Sequence, residues 1–368
     1  MNIELKKEIL NENKDSRKLF PLLVTIIVSF INIFIHGSIF LLLRDGQLHP
    51  ITLTIIAVLW GSIGFYFIYM SLNWMISFYP KKWGMKLQPF IFVGPAIFLL
   101  AWLLLIPTFR TIWMSFYDAS GSTFVGLSNY VEIFTNKSML LAVQNTFIWV
   151  VLGTFSCVSL GLIIAVLADR SSFEKIAKSI IFMPIAISFV GAGVIWKFIY
   201  AYRPDENQIG LLNAIVQFFG GEPKAWITLV QPWNNLFLII ILIWMMTGFA
   251  MVIFSAAIKG VPQDILEAAR IDGANEITIF FKIIIPYIKS TIVAVTTTIV
   301  IFTMKIFDIV MVMTGGQYGT EVIATEFYTQ YFLHRNTGIG SSLAILLLVA
   351  VLPVIFMNMN KAKKEEGF

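Results

Sequence analysis

Apolar residues in this chain come in long bunches separated by short polar stretches. Eight runs stand out, at roughly 20–43, 51–78, 89–109, 143–168, 180–200, 233–258, 287–313 and 342–360. A helix needs about 20 apolar residues to cross a hydrocarbon core about 30 Å thick. Within lipid every backbone amide must be satisfied inside its own segment, so the runs predict helices. A membrane barrel would show alternation over segments about half as long, and none is present. Between the sixth and seventh runs lies a polar island, GVPQDILEAARIDGANEITIFFKIIIP, residues 260–286. Pro262 suits the first turn of a helix, with Gln263 and Asp264 at its positive end. Gly273 is the natural left-handed stop. A second helix is predicted from about Asn275 to Ile285, broken by Pro286 where the next span begins. The product is a two-helix bracket. Its small residues Ala268, Ala269 and Gly273 let another protein approach closely.

Composition agrees with lipid as the solvent: 58% of the 368 residues are hydrophobic and 13% charged. Soluble domains carry about 25% charged residues. The formal charge of +5 does not point to nucleic acid, because the basic residues sit in short loops beside spans and report topology. With the N-terminus inside, the inner segments hold eighteen Lys and Arg and the outer ones seven, with Lys305 inside a span. Both termini are therefore expected in the cytoplasm. The first run follows a charged leader, is too long for a signal peptide, and lacks a small-residue cleavage site. The single cysteine, Cys157, lies in an apolar run and is expected simply to pack. The outer stretch GLLNAIVQFFGG repeats its apolar residues at helical spacing, which predicts a short helix along the membrane surface capped by Gly220 and Gly221. The expected organisation is a leader (1–19), two additional spans (20–88), a six-span core (89–360) and a tail (361–368).

The run Glu267-Ala268-Ala269, three residues, Gly273, nine residues, Ile283, one residue, Ile285-Pro286 resembles the EAA loop of binding-protein-dependent ABC importer permeases. Ile285 replaces the leucine usual there. NTFIWVVLGTFSCVSLGLIIAVLADR (145–170), MPIAISFVGAGVIWKFIY (183–200) and FDIVMVMTGG (307–316) look like the sugar-permease branch. The likeness covers roughly residues 90–360. Eight spans resemble the maltose-type larger permease subunit, without its large extracytoplasmic insert. The resemblance implies an all-α integral membrane protein of the type I ABC importer permease fold in a bacterial inner membrane. It further implies a cytoplasmic ATPase dimer, a second permease subunit, an extracytoplasmic solute-binding protein and a sugar substrate. The coupling residues it implies are Glu267, Ala268, Ala269, Asp272, Gly273 and Pro286. No GxxxxGK[ST] phosphate loop occurs, so no enzyme activity and no cofactor are expected in this chain. ATP and Mg belong to the partner ATPase on this reading.

Among the eight runs only the seventh holds charges deep inside, Lys305 and Asp308. Three apart on a helix, they share a face. They either neutralise each other and fix packing, or line an aqueous path. The resemblance favours the path and adds Thr298 two turns earlier. On the sixth run Trp244, Met245, Thr247 and Phe249 offer aromatic faces and a hydroxyl of the kind that hold sugar rings, and on the fifth Ser188 and Phe189 occupy a similar place. The turn TGGQYGTEVIATEFY, with Lys305-Ile306-Phe307-Asp308 before it, looks closest to permeases for α-glucosides and glucosyl-type osmolytes. The alternative is an ion-coupled secondary transporter built on Asp308. Lys305 beside it would keep that carboxylate ionised, which suits a fixed pair better than a proton shuttle.

Overall fold

The structure is a computed structural model describing residues 3–204, 208–229 and 232–365. The side chains of the leader 1–19 and of residues 357–368, with the lysines that weigh in the orientation count, lie outside the described residues. Along the chain the helices are α1 (Ile3–Asp45), α2 (Pro50–Ile76), α3 (Lys81–Met114), α4 (Ser128–Thr135) and α5 (Lys137–Asp169). They continue as α6 (Glu174–Ala186), α7 (Phe189–Ile199), α8 (Leu211–Phe218), α9 (Trp233–Lys259), α10 (Gln263–Ile271) and α11 (Glu276–Tyr287). The last are α12 (Lys289–Met304), α13 (Asp308–Met313), α14 (Ile323–Tyr328) and α15 (Thr337–Glu365). No strand occurs among the described residues; one isolated bridge joins Tyr117 and Phe124.

Among the described residues six helices are long and apolar enough to cross a membrane, or up to eight if each of two bent pairs is one span. The bent pairs are α6 with α7, at 105°, and α11 with α12, at 72°. The fifth and seventh apolar runs are therefore not simple rods.

The chain packs as two units, residues 1–108 and 109–368. In the first unit α1 lies against α2, joined by polar side chains. Asn32 Nδ2 donates to Ser71 Oγ at 2.9 Å, Trp60 Nε1 to His36 Nδ1 at 2.8 Å, and Thr25 and Tyr79 share a 2.6 Å bond. In hydrocarbon such groups stay unsatisfied unless they find each other. An open apolar groove of about 680 Å³ runs along this pair.

The second unit is built around α9, which packs on α5. Leu238, Ile241, Leu242, Met251 and Phe254 of α9 are fully buried, with Trp149 and Cys157 of α5. Cys157 packs as expected. Small residues allow the approach: a Cβ on Gly161 would fall 2.5 Å from Ala250 Cβ, and one on Gly248 2.3 Å from the Ile181 carbonyl oxygen. Helix α8 ends as its sequence predicts. Gly220 has φ +77°, with Gly220 N bonded to Gln217 O and Gly221 N to Val216 O, both 2.9 Å.

Two expectations fail. The helix does not break at Pro286, because a widened turn over Phe280–Ile284 comes first. There the Ile285 amide reaches back five residues to the Phe280 carbonyl. The proline is seated in the shifted register, and the chain bends at Ile288. Nor does the seventh span run unbroken to residue 313. α12 stops at Met304 and α13 starts at Asp308, so Lys305 and Asp308 flank a break and do not share a helix face. No ion pair joins them among the described residues. Ile306 turns into the core and the Phe307 ring lies 5.5 Å from that of Tyr328, packing that outweighs helical continuity here.

Candidate functional site

The bracket forms as two short helices, α10 and α11. Pro262 caps α10 from just outside, at φ −57° and ψ 130°. Gly273 ends α10 at φ +83°. Its amide bonds Arg270 O at 3.1 Å, and the Ala274 amide bonds Ala269 O at 3.0 Å. This paired closure satisfies carbonyls the helix end leaves open. Asn275 then caps α11, its side chain accepting from the Thr278 amide at 2.8 Å. The turn is therefore set by hydrogen bonds on both sides.

Beneath the bracket lies its own apolar root. Val261, Leu266, Ile279, Ile284 and Ile288 are buried together, with Ala257 and Ile258 of α9 and Leu162 of α5 against them. The opposite face is open: Ile265, Ile271 and Ile277 are exposed, Ile271 by 86%. Glu267, Ala268, Asp272, Gly273 and Pro286 are also exposed, and Ala269 is half-buried. Exposed isoleucines on a polar loop form a surface that favours cover.

Ionic groups tie this bracket to the span ends. Glu276 accepts from Arg270 Nε at 3.0 Å and also from Arg170 at the end of α5. Hydrogen bonds from Arg270 first, then Arg170, hold its carboxyl below the usual carboxylate range. Lys259, the last residue of α9, pairs with Glu174 at the start of α6. Lys178 of α6 bonds Glu174 at 2.6 Å and Asp169 at 2.5 Å. The sequence reading missed this cluster, although the charges of DRSSFEK beside a span end could have signalled it.

The pathway residues are scattered. Ser188 caps α7 at the 105° bend, its hydroxyl accepting from Gly191 N at 3.0 Å, and Phe189 packs partly against the core. Trp244 is partly buried, its ring 5.8 Å from Trp196. Met245 and Thr247 are buried at 2% and 6% exposure, and Phe249 is partly buried. Residues only a few apart on a helix diverge by 100° each, so α9 does not present all four on one surface. The Thr298 hydroxyl donates to Ala294 O at 3.0 Å. Lys305 is exposed, its ammonium 5.3 Å from the Phe302 ring centre, and Asp308 is exposed at the start of α13. What does converge are the short segments after the breaks. α7 packs on α13 where a Cβ on Gly193 would fall 2.8 Å from Val312 Cγ1.

A buried amide cluster, also unforeseen, holds the turn after α13. Asn145 Nδ2 donates to the carbonyls of Gly319 at 2.9 Å and Glu321 at 2.8 Å. Asn235 donates to Asn145 Oδ1 at 3.1 Å, and Asn234 to Tyr318 O at 2.5 Å.

Residues 157–362 match the family described as binding-protein-dependent transport system inner membrane component. The chain is 54% identical to the osmoprotective compounds uptake permease protein GgtC of Synechocystis over 75% of this chain and 99% of that one. It is 47% identical to the alpha-glucoside transport system permease protein AglF of Rhizobium meliloti, covering 77% and 84%. A crystal structure of a bacterial ABC transporter importing the acidic polysaccharide alginate shares the fold, at 18% identity and TM-score 0.66, covering 77% of this chain and 99% of that one. The architecture is that of a type I ABC importer permease. A hydrogen-bonded two-helix bracket among long apolar helices is thus housed in a chain that belongs to the binding-protein-dependent transport system inner membrane components, the permease subunits of ABC importers.

Proposed function

We propose that this permease carries an α-glucoside or a glucosyl-type osmolyte into the cell by alternating access, driven by a separate ATPase. The substrate class is supported by the names of its relatives, one an α-glucoside permease and one an osmoprotectant permease. The observation that carries the mechanism is the bracket: a hydrogen-bonded turn with an open apolar face above and a buried apolar root below. Glu267, Ala268, Ala269, Asp272 and Gly273 form the part an ATPase dimer grips, and Pro286 seats the arm that returns to the membrane. ATP and Mg are bound by that partner. Driving a two-state gate from 1:99 to 99:1 takes about 5.5 kcal/mol of differential binding, which a floppy loop would dissipate.

A second permease subunit and an extracytoplasmic solute-binding protein complete the assembly. The alginate transporter, solved with its oligosaccharide-bound periplasmic protein, offers the parallel. The membrane is the bacterial inner membrane, with both termini inside, as the charge bias supports. Sugar contacts fall to the residues beside the two breaks, Ser188, Phe189, Thr298, Lys305 and Asp308, and to Trp244, Met245, Thr247 and Phe249 of α9 once the gate opens. The ion-coupled alternative finds no support among the relatives.

The test is reconstitution with the partner subunits and measurement of uptake of labelled disaccharides and glucosyl osmolytes. Gly273→Val is the decisive variant. Within this chain a Cβ on Gly273 would meet nothing within 4 Å, so the strain it places on the turn itself is conformational. A residue with a Cβ forced left-handed costs about 1–2 kcal/mol, more when β-branched. Uptake is expected to fall at least tenfold with the spans still folded. Full uptake by that variant would remove the bracket from the mechanism.

A further inference from the structure

We propose that the turn joining the fourth and fifth spans, residues 169–178, is a charged socket through which both arms of the bracket move the fifth span. This rests on the reading of the bracket as the ATPase contact and adds its route into the membrane. The first arm leaves α9 at Lys259, which pairs with Glu174. The second begins at Glu276, which pairs with Arg170. Both partners lie within five residues of chain, at the end of α5 and the start of α6.

Behind these pairs is a half-buried anchor. Lys178, its side chain 18% exposed, donates to Asp169 Oδ1, Glu174 Oε1 and Ser255 Oγ of α9. Ser255 in turn donates to Asp169 Oδ1 at 2.7 Å. Charges this enclosed hold their geometry because removing one partner strands the others.

The socket also has two settings. Lys259 Nζ rests on Glu174 and lies 3.9 Å from Asp169 Oδ1. The other oxygen of Asp169, Oδ2, is buried and makes no hydrogen bond. A small shift of the bracket lets Lys259 pass from Glu174 to Asp169, giving the discrete pair of arrangements that a coupling element requires. Glu174 and Lys178 stand on α6, which ends at the Ile187–Ser188 bend leading into α7. Displacement at the foot of α6 therefore swings a span already hinged at its middle. Exposed pairs such as Arg170–Glu276 add little to stability. Their loss should show in coupling and not in folding.

The experiment uses the full complex in proteoliposomes, recording ATP hydrolysed per substrate imported together with the thermal midpoint. Arg170→Glu should raise that ratio at least tenfold and Arg170→Gln about threefold, with unchanged midpoints. Arg170→Lys, which keeps the charge, should stay within twofold of the native ratio. Arg170→Gln combined with Glu276→Gln should be no worse than the more affected single variant, since both remove one shared interaction. A native ratio in Arg170→Glu, or additive losses in the double variant, overturns the socket. If the native chain fails to bind the ATPase or to import in its presence, the bracket reading itself falls. Intact coupling with indifferent Arg170 variants removes the socket alone.

Discussion

The second span and the sixth, α2 and α9, are both 27 residues long and both plainly apolar. Yet none of the most apolar window of α2 is buried within the chain, while 56% of that of α9 is. The difference lies in the minority residues. α9 carries Asn234, Asn235, Gly248, Ala250 and Ser255, each buried against a neighbour. α2 has Gly64 as its main point of close approach, and its polar ties to α1 through Trp60 and Ser71 are only partly buried. Apolar content reports that a helix lies in lipid. It says nothing of which faces lipid touches, because lipid and a protein interior are about equally apolar. Small and polar residues carry that second message.

Truncations should separate the two regions most sharply. Phe254→Ala in α9 removes a fully buried ring and should cost about 3–5 kcal/mol. Phe30→Ala on the first span, whose ring is exposed, should stay within about 0.5 kcal/mol, as surface changes do. Detergent unfolding midpoints measure both, and equal losses would erase the contrast. Glycines give the next test. Gly248→Ala drives a methyl into the Ile181 carbonyl and should cost about 1–3 kcal/mol. Gly61→Ala meets nothing within 4 Å and should gain about 0.5–1 kcal/mol of helix stability.

Amide pairs follow. Asn145→Ala removes one donor from the Gly319 and Glu321 carbonyls and one acceptor from Asn235, which still reaches Gly319 O at 3.2 Å, and should cost about 1–3 kcal/mol. Hydrogen exchange should show the turn 314–322 loosening with it. Asn32→Ala, in the half-open first unit, should cost only about 0.6 kcal/mol, the usual worth of a polar contact between membrane helices. A larger loss there than at Asn145 would mean the first unit depends on its polar ties more than its exposure implies. The smallest effect is expected from Lys305→Met, which should leave the midpoint unchanged while lowering uptake; a drop in midpoint would make Lys305 a packing residue.

Much of the architecture could be read in advance. Six runs became continuous spans, Gly273 and Gly220 took the left-handed stops, and Asn275 capped the helix expected to start beside it. These are local matters, decided by φ preference and by side chains reaching their own backbone. The breaks were not legible to the same degree. Pro184 and Ser188 mark the fifth-span bend in hindsight. Nothing in Met304-Lys305-Ile306-Phe307 marks the other, where Ile306 and Phe307 are drawn to partners distant in sequence. Pro286 misled for the same kind of reason, since a widened turn upstream absorbed it.

The order of residues was enough to mark eight apolar runs, to shape the bracket and to identify the family, because transfer to hydrocarbon and turn chemistry act over short stretches of chain. Three things came only from packing: that Lys305 and Asp308 part company, that Met245 and Thr247 sit inside the core, and that Arg170 and Glu174 hold opposite arms of one bracket. Each depends on which helix faces which, and residues 106 positions apart, such as Arg170 and Glu276, announce no partnership until the fold brings them together.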